Sequence, residues 1–317
     1  MERELEFEKP IAEMEKAIEK LKHLAAENKG DFGAQIEELE RKCEERKREV
    51  YDSLSPWQTV QVARHPRRPV LYDYISLMFT DFVELHGDRC YGDDYALIGG
   101  FATLGQQKVM LIGHSKGKNV DENVKRNFGM ARPEGYRKAM RLMRLAERFN
   151  VPIVTFIDTP GAYPGLDAEE RGQAEAIARN LTEMAKLEVP VVTIVTGEGG
   201  SGGALGIGVA DVVLMLSYAV YSVISPEGCA SILWRDASFS SKAAEALKIT
   251  SKSLLSLGVI DEIVQEPAGG AHHNHPATAE AIKEALLRHI KRLSALSPAK
   301  LVAKRFEKFA SMGKFTK

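Results

Sequence analysis

The chain has 317 residues, 44% of them hydrophobic and 27% charged, which is typical of a soluble globular protein of one large domain with an appendage, or of two domains. The formal net charge of −1 provides no overall field for nucleic acid or a membrane surface, so neither is expected as a partner. Three separated cysteines (Cys43, Cys90 and Cys229) and the lack of a signal peptide or a long apolar run predict a cytoplasmic protein without disulfides.

Residues 1–52 differ from the rest of the chain. Apolar side chains recur at helical spacing among Glu and Lys, stop at residues 29–33 and then resume, at Ile11, Met14, Ile18, Leu21, Ile36, Leu39 and Cys43. This pattern predicts an antiparallel helical hairpin, an N-terminal arm, followed by a main domain over residues 53–317. The stripe is too short to decide whether the arm binds a partner chain or packs on its own domain.

The first part of the main domain mixes helices with one hairpin. Ser55 and Pro56 have the form of a helix N-terminus, and residues 64–69 form a basic loop that we interpret as a solvated connection. A helix is predicted over residues 72–85, and a β-hairpin over residues 96–113. The helix that begins at Pro133 carries many basic side chains, which either bind phosphates or form a solvated face.

Strands and helices then alternate. Two short β-branched runs, residues 151–157 and 189–196, predict buried parallel strands, and each is followed by a glycine-rich turn. Between them, Asp167 has the spacing of an N-cap for a helix that reaches about residue 188. An apolar run over residues 212–224 is divided near Ser217, and the basic tail from Lys300 is predicted to be a loosely held helix.

The turn over residues 197–208, GEGGSGGALGIG, is the strongest chemical signal in the chain. It joins a buried strand to a small-residue helix, so its backbone N–H groups are available for an anion or a developing oxyanion. A P-loop is excluded because no Lys-Ser or Lys-Thr follows the last glycine, and a dinucleotide fingerprint is disfavoured because the strand comes late in the chain.

Two other sites are disfavoured. The glycines around Ser201 match the pattern of a nucleophile elbow, but a serine hydrolase also needs a histidine, for which His114 is the core candidate. The loop histidines His272, His273 and His275 have no carboxylate or thiol at a helpful spacing. We therefore expect no metal on this chain.

Several longer motifs resemble the carboxyltransferase α subunits of bacterial acetyl-CoA carboxylase. They are FIDTPGAYPG at 156–165, GEGGSGGA at 197–204 and SVISPEGCA at 222–230, supported by NFGM at 127–130 and PEGYRK at 133–138. The resemblance covers nearly the whole chain, including the arm. It implies an α/β fold of the crotonase type, built from repeated ββα units.

The resemblance also implies a function and partners. The expected reaction transfers a carboxyl group from carboxybiotin, carried on the biotin carboxyl carrier protein, to acetyl-CoA, giving malonyl-CoA for fatty acid synthesis. This chain would bind no covalent cofactor and would work with a β subunit, which carries the zinc, in an α2β2 heterotetramer alongside biotin carboxylase.

Combined with the glycine turn, the resemblance predicts the site. The N–H groups of Gly202 and Gly203 are expected to stabilise the ureido oxygen of biotin. The biotin slot is expected to be lined by Gly161, Tyr163, Gly165, Gly199 and Gly200. Two alternatives stay open: a CoA-dependent hydratase or isomerase that uses Glu198, and a non-catalytic scaffold that only docks a partner by its arm.

Overall fold

The computed structural model of the chain describes residues 5–27 and 32–313. The arm consists of helices α1 (Lys9–Ala26) and α2 (Gly33–Asp52). They are antiparallel, because Lys22 pairs with Glu40 at 2.6 Å while Lys47 pairs with Glu15 at 2.8 Å. The predicted hairpin is confirmed, although most of its predicted break, residues 29–31, lies outside the described residues.

The base of the arm packs on its own domain. Ile11, Ile18 and Tyr51 are buried in one cluster with Val62 of the main domain, and the Tyr51 ring meets Tyr218 edge-on at 5.0 Å between centroids. For the buried part of the apolar stripe, this contact supports packing on the chain's own domain and not binding to a partner chain. The stripe secures the arm to the chain's own core.

One eight-stranded mixed sheet forms the centre of the main domain, in the order β1-β2-β3-β4-β5-β6-β8, with β7 paired to the end of β5. The strands from β3 onward are parallel, so their carboxyl ends lie at one edge of the sheet. The bounds are β1 Phe79–Glu84, β2 Leu97–Leu104, β3 Gln107–His114, β4 Ile153–Thr159, β5 Val191–Gly200, β6 Val212–Leu216, β7 Val220–Ser222 and β8 Glu262–Val264.

Helices cover the sheet and bury it. The strands β4, β5 and β6 are almost fully buried, as expected of parallel strands covered on both faces. No helix in the described part of the chain is both long and apolar enough to cross a membrane. The remaining helices are α3 Pro56–Ala63, α4 Leu71–Met78, α5 Val120–Lys125, α6 Pro133–Arg148, α7 Leu166–Glu170, α8 Gln173–Met184, α9 Ser201–Leu205, α10 Pro226–Trp234, α11 Ser240–Leu247, α12 Ser251–Ser256, α13 His275–Ser294 and α14 Pro298–Ala310.

Several predicted elements are confirmed. Ser55 caps α3 with a full capping box, and β2 and β3 form the expected antiparallel hairpin. Together with α6 this hairpin makes one ββα unit of the predicted kind. The run over residues 212–224 is divided into β6 and β7 around Ser217, as predicted.

Two element predictions are wrong. The helix predicted over residues 72–85 ends at Met78, because the aromatic and β-branched segment after it pairs with β2 as an edge strand. The helix predicted from Asp167 is two helices, with Gly165 as the cap of the first and Gly172, at φ 82°, between them. A left-handed residue at this point ends the continuous helical path.

Charged side chains predicted to be solvated or loosely held are instead buried. Arg68, in the loop over residues 64–69, donates to both oxygens of Glu266 at 2.8 and 3.0 Å. Arg305 anchors the tail helix α14, with its side chain buried against Asp211 at 2.8 Å. Because a buried guanidinium needs several acceptors, these partners fix both segments in place.

Candidate active site at the carboxyl ends of strands β4 and β5

The glycine turn lies where it was predicted, between β5 and α9. Ser201 occupies the left-handed region at φ 50°, which a non-glycine residue adopts only at a cost and which allows the chain to turn sharply from strand to helix. The N–H groups of Gly202 and Gly203 then fall in the first helical turn, where no intrahelical acceptor exists. Among the described residues neither N–H has a backbone or side-chain acceptor.

The turns after β4 and β5 are packed against each other. A side chain at Gly203 would place its Cβ 2.5 Å from the backbone nitrogen of Ala162, and one at Gly200 would meet the backbone of Pro160 and Gly161. Real Cβ atoms essentially never come so close to backbone. Glycine is therefore required at both positions for the approach of the turns.

Gly202 differs from Gly203 in its surroundings. A Cβ at Gly202 would have as its nearest neighbours only two atoms of Ile177, both at 3.8 Å, which is ordinary van der Waals contact. The two predicted oxyanion donors are thus separable by mutation, since a methyl group fits at one and collides with backbone at the other.

The residues predicted to line a biotin slot fall into two groups. Gly199 and Gly200 border a small cavity of about 30 Å³ beside Pro160. Gly161 follows Pro160 and is fixed by Thr159, because Thr159 Oγ1 donates to the Gly161 carbonyl oxygen at 2.7 Å. Tyr163 and Gly165 lie farther along the loop. A Cβ at Gly165 would collide with the Tyr163 ring. The Arg132 guanidinium lies over that ring, with its carbon 4.4 Å from the ring centroid.

A cluster of charged side chains, not predicted as a group, joins the two strand ends. Lys116 Nζ donates to Asp158 Oδ1 at 2.7 Å and to Glu198 Oε2 at 3.4 Å, and Arg64 Nε donates to Glu198 Oε1 at 2.7 Å. The backbone N–H of Glu198 donates to the same Asp158 oxygen at 2.9 Å. Asp158 therefore ties the end of β4 to the end of β5.

These contacts decide the state of Glu198. Burial alone would raise the pKa of its carboxyl, but the neighbouring Lys116 and Arg64 outweigh burial and hold that pKa below its usual value. Glu198 is thus an ion-paired carboxylate. A group held this firmly as an anion is a weak general base and a poor acid at neutral pH, which disfavours the hydratase alternative.

The serine hydrolase alternative also lacks its partner. Ser201 has the strained conformation of an elbow, yet in residues 5–27 and 32–313 its hydroxyl forms no hydrogen bond to an imidazole. Burial, and then the charge of Lys116, lower the pKa of His114 to about 3, so its imidazole is a poor base. The structure supports backbone stabilisation of an anion and not a nucleophilic serine.

For the histidine-rich loop, sequence spacing did not predict which side chains would lie beside each histidine. His272 is buried beside Glu8 of the arm and His65 of the loop after α3, and one ligand-type atom from each lies within 4.8 Å of the others. His273 instead lies 3.4 Å from Glu15, and His275 Nε2 lies 2.8 Å from the Arg67 carbonyl oxygen. The carboxylate missing near these histidines in sequence comes from the other end of the chain.

Comparison with known proteins agrees with the geometry. The family model described as "Acetyl co-enzyme A carboxylase carboxyltransferase-like" matches residues 4–313. The chain is 57% identical over 312 residues to the acetyl-coenzyme A carboxylase carboxyl transferase subunit alpha of Geobacter metallireducens, covering 98% of each chain. It is 56% identical to the protein of the same name from Aromatoleum aromaticum, covering 98% of this chain and 97% of that protein.

Solved structures support the fold class. A transcarboxylase 12S chain superposes with a TM-score of 0.57 at 21% identity, covering 71% of this chain and 42% of that one. The β subunit of geranyl-CoA carboxylase from P. aeruginosa gives 0.54 at 14% identity, covering 83% and 47%. The predicted crotonase-like α/β fold is confirmed, and the chain belongs to the family of acetyl-CoA carboxylase carboxyltransferase α subunits.

Proposed function

We propose that this chain forms the half of a carboxyltransferase site that receives carboxybiotin from a carrier protein. The complete site passes the carboxyl group to acetyl-CoA and releases malonyl-CoA. The relatives' names and the family model support the reaction, and the glycine turn supports the part that this chain plays in it.

The observation that carries the proposal is the pair of backbone N–H groups without acceptors at Gly202 and Gly203. As the carboxyl group leaves biotin, negative charge develops on the ureido oxygen, and these two N–H groups stabilise it. Removal of one such donor typically costs about 100- to 1,000-fold in rate. The ureido nitrogen that loses the carboxyl group takes the proton from the acetyl methyl group, so this chain supplies no base.

The slot residues have separate roles in this proposal. Gly199, Gly200 and Gly161 form its floor, and a flat ring can approach the backbone at Gly161, where a Cβ would have no described atom within 4 Å. Tyr163 and Gly165 form the wall of the loop after β4. The cavity at the floor measures about 30 Å³, roughly the volume of one water molecule, so this chain alone does not enclose a ring.

A partner must therefore complete the site. We propose that this partner is the carboxyltransferase β subunit, which carries the zinc of the assembly. The two subunits together form an α2β2 heterotetramer. An exposed apolar side chain beside the floor supports a partner here: Val223, between the cavity-lining residues Ser222 and Ile224, is 74% exposed. Biotin carboxylase and the carrier protein act with this assembly in the cytoplasm.

The test is malonyl-CoA formation by the purified chain alone, then with a β subunit and a carboxylated carrier. We expect no turnover until both are added. Full activity of the chain alone would overturn the divided site. Hydration or isomerisation of an enoyl-CoA by the chain alone would instead support the hydratase alternative, and no effect of Gly203→Ala in the complete mixture would leave the chain a scaffold.

A further inference from the structure

Outside the proposed active site, the arm and the core meet through a buried group of imidazole and carboxylate side chains. Glu8, at the start of α1, His65 and His272 are each less than a tenth exposed, at 5%, 7% and 5%. His272 Nε2 lies 3.0 Å from Glu8 Oε1, and the rings of His65 and His272 stack with centroids 4.1 Å apart. Three segments far apart in sequence thus direct their donor atoms at one point.

The environment of this group suits a cation. Glu8 brings a negative charge, and the nearby positive charge of Arg68 is already compensated by its paired contacts to both oxygens of Glu266. The two imidazole rings are buried side by side, and imidazole nitrogens are common metal ligands.

The surroundings also provide what a metal site needs beyond its ligands. The Tyr51 hydroxyl donates to the Glu8 carboxylate and orients it, as second-layer groups do around metal ligands. A cavity of about 320 Å³, bordered by Glu8, His65 and His273, leads to the cluster and has room for water ligands. His272 Nδ1 is buried without a hydrogen-bond partner among the described residues.

From this arrangement we propose that Glu8, His65 and His272 bind one divalent transition-metal ion of the zinc class, which clips the arm onto the core. Two imidazoles and one carboxylate, with water in the fourth position, are a ligand set that suits zinc and does not suit magnesium or calcium. This site replaces the earlier expectation that no metal binds this chain. It is independent of the proposed reaction.

Ion binding has a defined structural consequence. Zinc forms bonds of about 2.0–2.1 Å, so binding of one ion requires shifts of the three donor atoms, which now lie within 4.8 Å of one another. Ligation through His65 Nε2 moves the ring proton to Nδ1 and breaks the 3.2 Å hydrogen bond that the Arg67 N–H now donates to Nδ1. Binding therefore shifts the 65–68 loop, and ligation through His272 Nε2 moves its ring proton to Nδ1, which has no hydrogen-bond partner among the described residues.

The test uses the full-length chain without a β subunit, so that zinc on any partner is not counted. The protein is stripped with a chelator, supplied with Zn²⁺ and gel-filtered before elemental analysis. We expect about one zinc ion per chain, a higher melting temperature with zinc, and slower amide exchange along α1. Co²⁺ in place of zinc should give d–d absorption without a sulfur charge-transfer band, since no thiolate is among the ligands.

Matched variants locate the ligands. Glu8→Gln, His65→Gln and His272→Gln should each weaken zinc binding tenfold or more, the loss typical of a disrupted metal site. Glu15→Gln, on α1, and His275→Gln, at the start of α13, remove the same kinds of group close to Glu8 and His272 but outside the cluster, and should bind as the wild type does. Circular dichroism checks that each variant is folded.

Two results would overturn the site. One is wild-type protein that retains no zinc after gel filtration and gives no cobalt spectrum, an outcome that does not depend on any variant folding. The other is zinc bound equally well by the folded His272→Gln variant, which would place the ion elsewhere. Neither result affects the malonyl-CoA assay, so failure of this site and failure of the proposed reaction are distinguishable.

Discussion

The active-site edge of the sheet and the base of the arm are built in opposite ways. At the sheet edge the proposed functional atoms belong to the backbone, and they come from two continuous segments, the turns after β4 and β5. At the base of the arm the proposed functional atoms belong to side chains, and they come from four separate places: Glu8, Tyr51, His65 and His272. The first region depends on the absence of side chains and the second on their presence.

This difference predicts which kind of mutation should disrupt each region. At the sheet edge a single added methyl group meets backbone, which cannot move aside as a flexible side chain can. At the arm the sensitive change is the removal of one polar atom from a buried cluster, which leaves its partner unsatisfied. The variants below are arranged to test this contrast, beginning with the largest effect.

The largest effect is expected from Gly203→Ala in the assembled enzyme. Its Cβ would lie 2.5 Å from the Ala162 nitrogen, so the turn must shift and the Gly203 N–H must turn with it. We expect turnover to fall about 100-fold or more, together with a lower melting temperature.

Gly202→Ala is the matched control for that variant, because the same methyl group would meet only Ile177 at 3.8 Å, an ordinary van der Waals distance. It should melt as the wild type does. Near wild-type turnover is expected because the N–H group is retained. If both alanine variants lose activity equally without any loss of stability, close packing of the turns is not the reason for glycine at position 203.

The next effect tests the charged link between the strand ends. Asp158→Asn removes the charge that faces Lys116 at 2.7 Å, and hydrogen bonds to charged groups contribute about 1.5–3 kcal/mol. We expect urea denaturation to report a loss in the lower part of that range, since both side chains keep some solvent contact.

Lys118→Met is the control for the Asp158 variant. It breaks an ion pair with Asp73 in which the lysine side chain is 60% exposed, and such a surface pair is worth about 1 kcal/mol or less. An Asp158→Asn protein no less stable than Lys118→Met would remove the proposed role of Asp158 in joining the turns.

Acid should destabilise the sheet edge through His114. Its pKa is lowered to about 3 in the folded protein, below the unfolded value near 6.5, so the unfolded chain binds more protons between these two values. Stability therefore falls as pH drops through this window, by up to about 1.4 kcal/mol per pH unit from this group. His114→Leu should flatten the acid dependence measured by urea unfolding, and an unchanged slope in this variant would contradict the assignment.

The smallest effect is expected at the arm. Tyr51→Phe keeps the edge-on contact with Tyr218 but removes the hydroxyl that donates to Glu8. The loss should be about 1 kcal/mol, a typical net value for one hydrogen bond. Hydrogen exchange should show it as faster opening of α1 with the strands unchanged, and uniform acceleration across the sheet would show that the arm and the core unfold as one unit.

Much of the sheet could be predicted from sequence because its signals are local. Strands β4 and β5 are short β-branched runs followed by glycine turns, and the hairpin of β2 and β3 is marked by its turn. The glycine turn itself was predicted to be an anion site from its order of residues alone, and the structure places it between β5 and α9 as expected. Each of these features lies within fewer than about twenty adjacent residues, where chain geometry leaves few alternatives.

Other elements could not be read locally. The apolar positions of residues 72–85 fit one face of a helix, yet residues 79–84 form a strand because β2 offers an edge that no local pattern shows. The sequence of the loop containing Arg68 is typical of a solvated connection. Folding instead places Glu266, 198 residues away in the chain, against the Arg68 side chain. Long-range partners overrode local preference in both cases.

The sequence by itself therefore determined the backbone chemistry of this protein: which turns lack side chains, and which strands precede them. Only the tertiary structure decided the side-chain chemistry, namely that Lys116, Asp158 and Glu198 meet and that Glu8 reaches His65 and His272. The physical reason is that a backbone donor is positioned by its immediate neighbours in the chain. A cluster of charged or imidazole groups exists only once folding has closed the long loops between them.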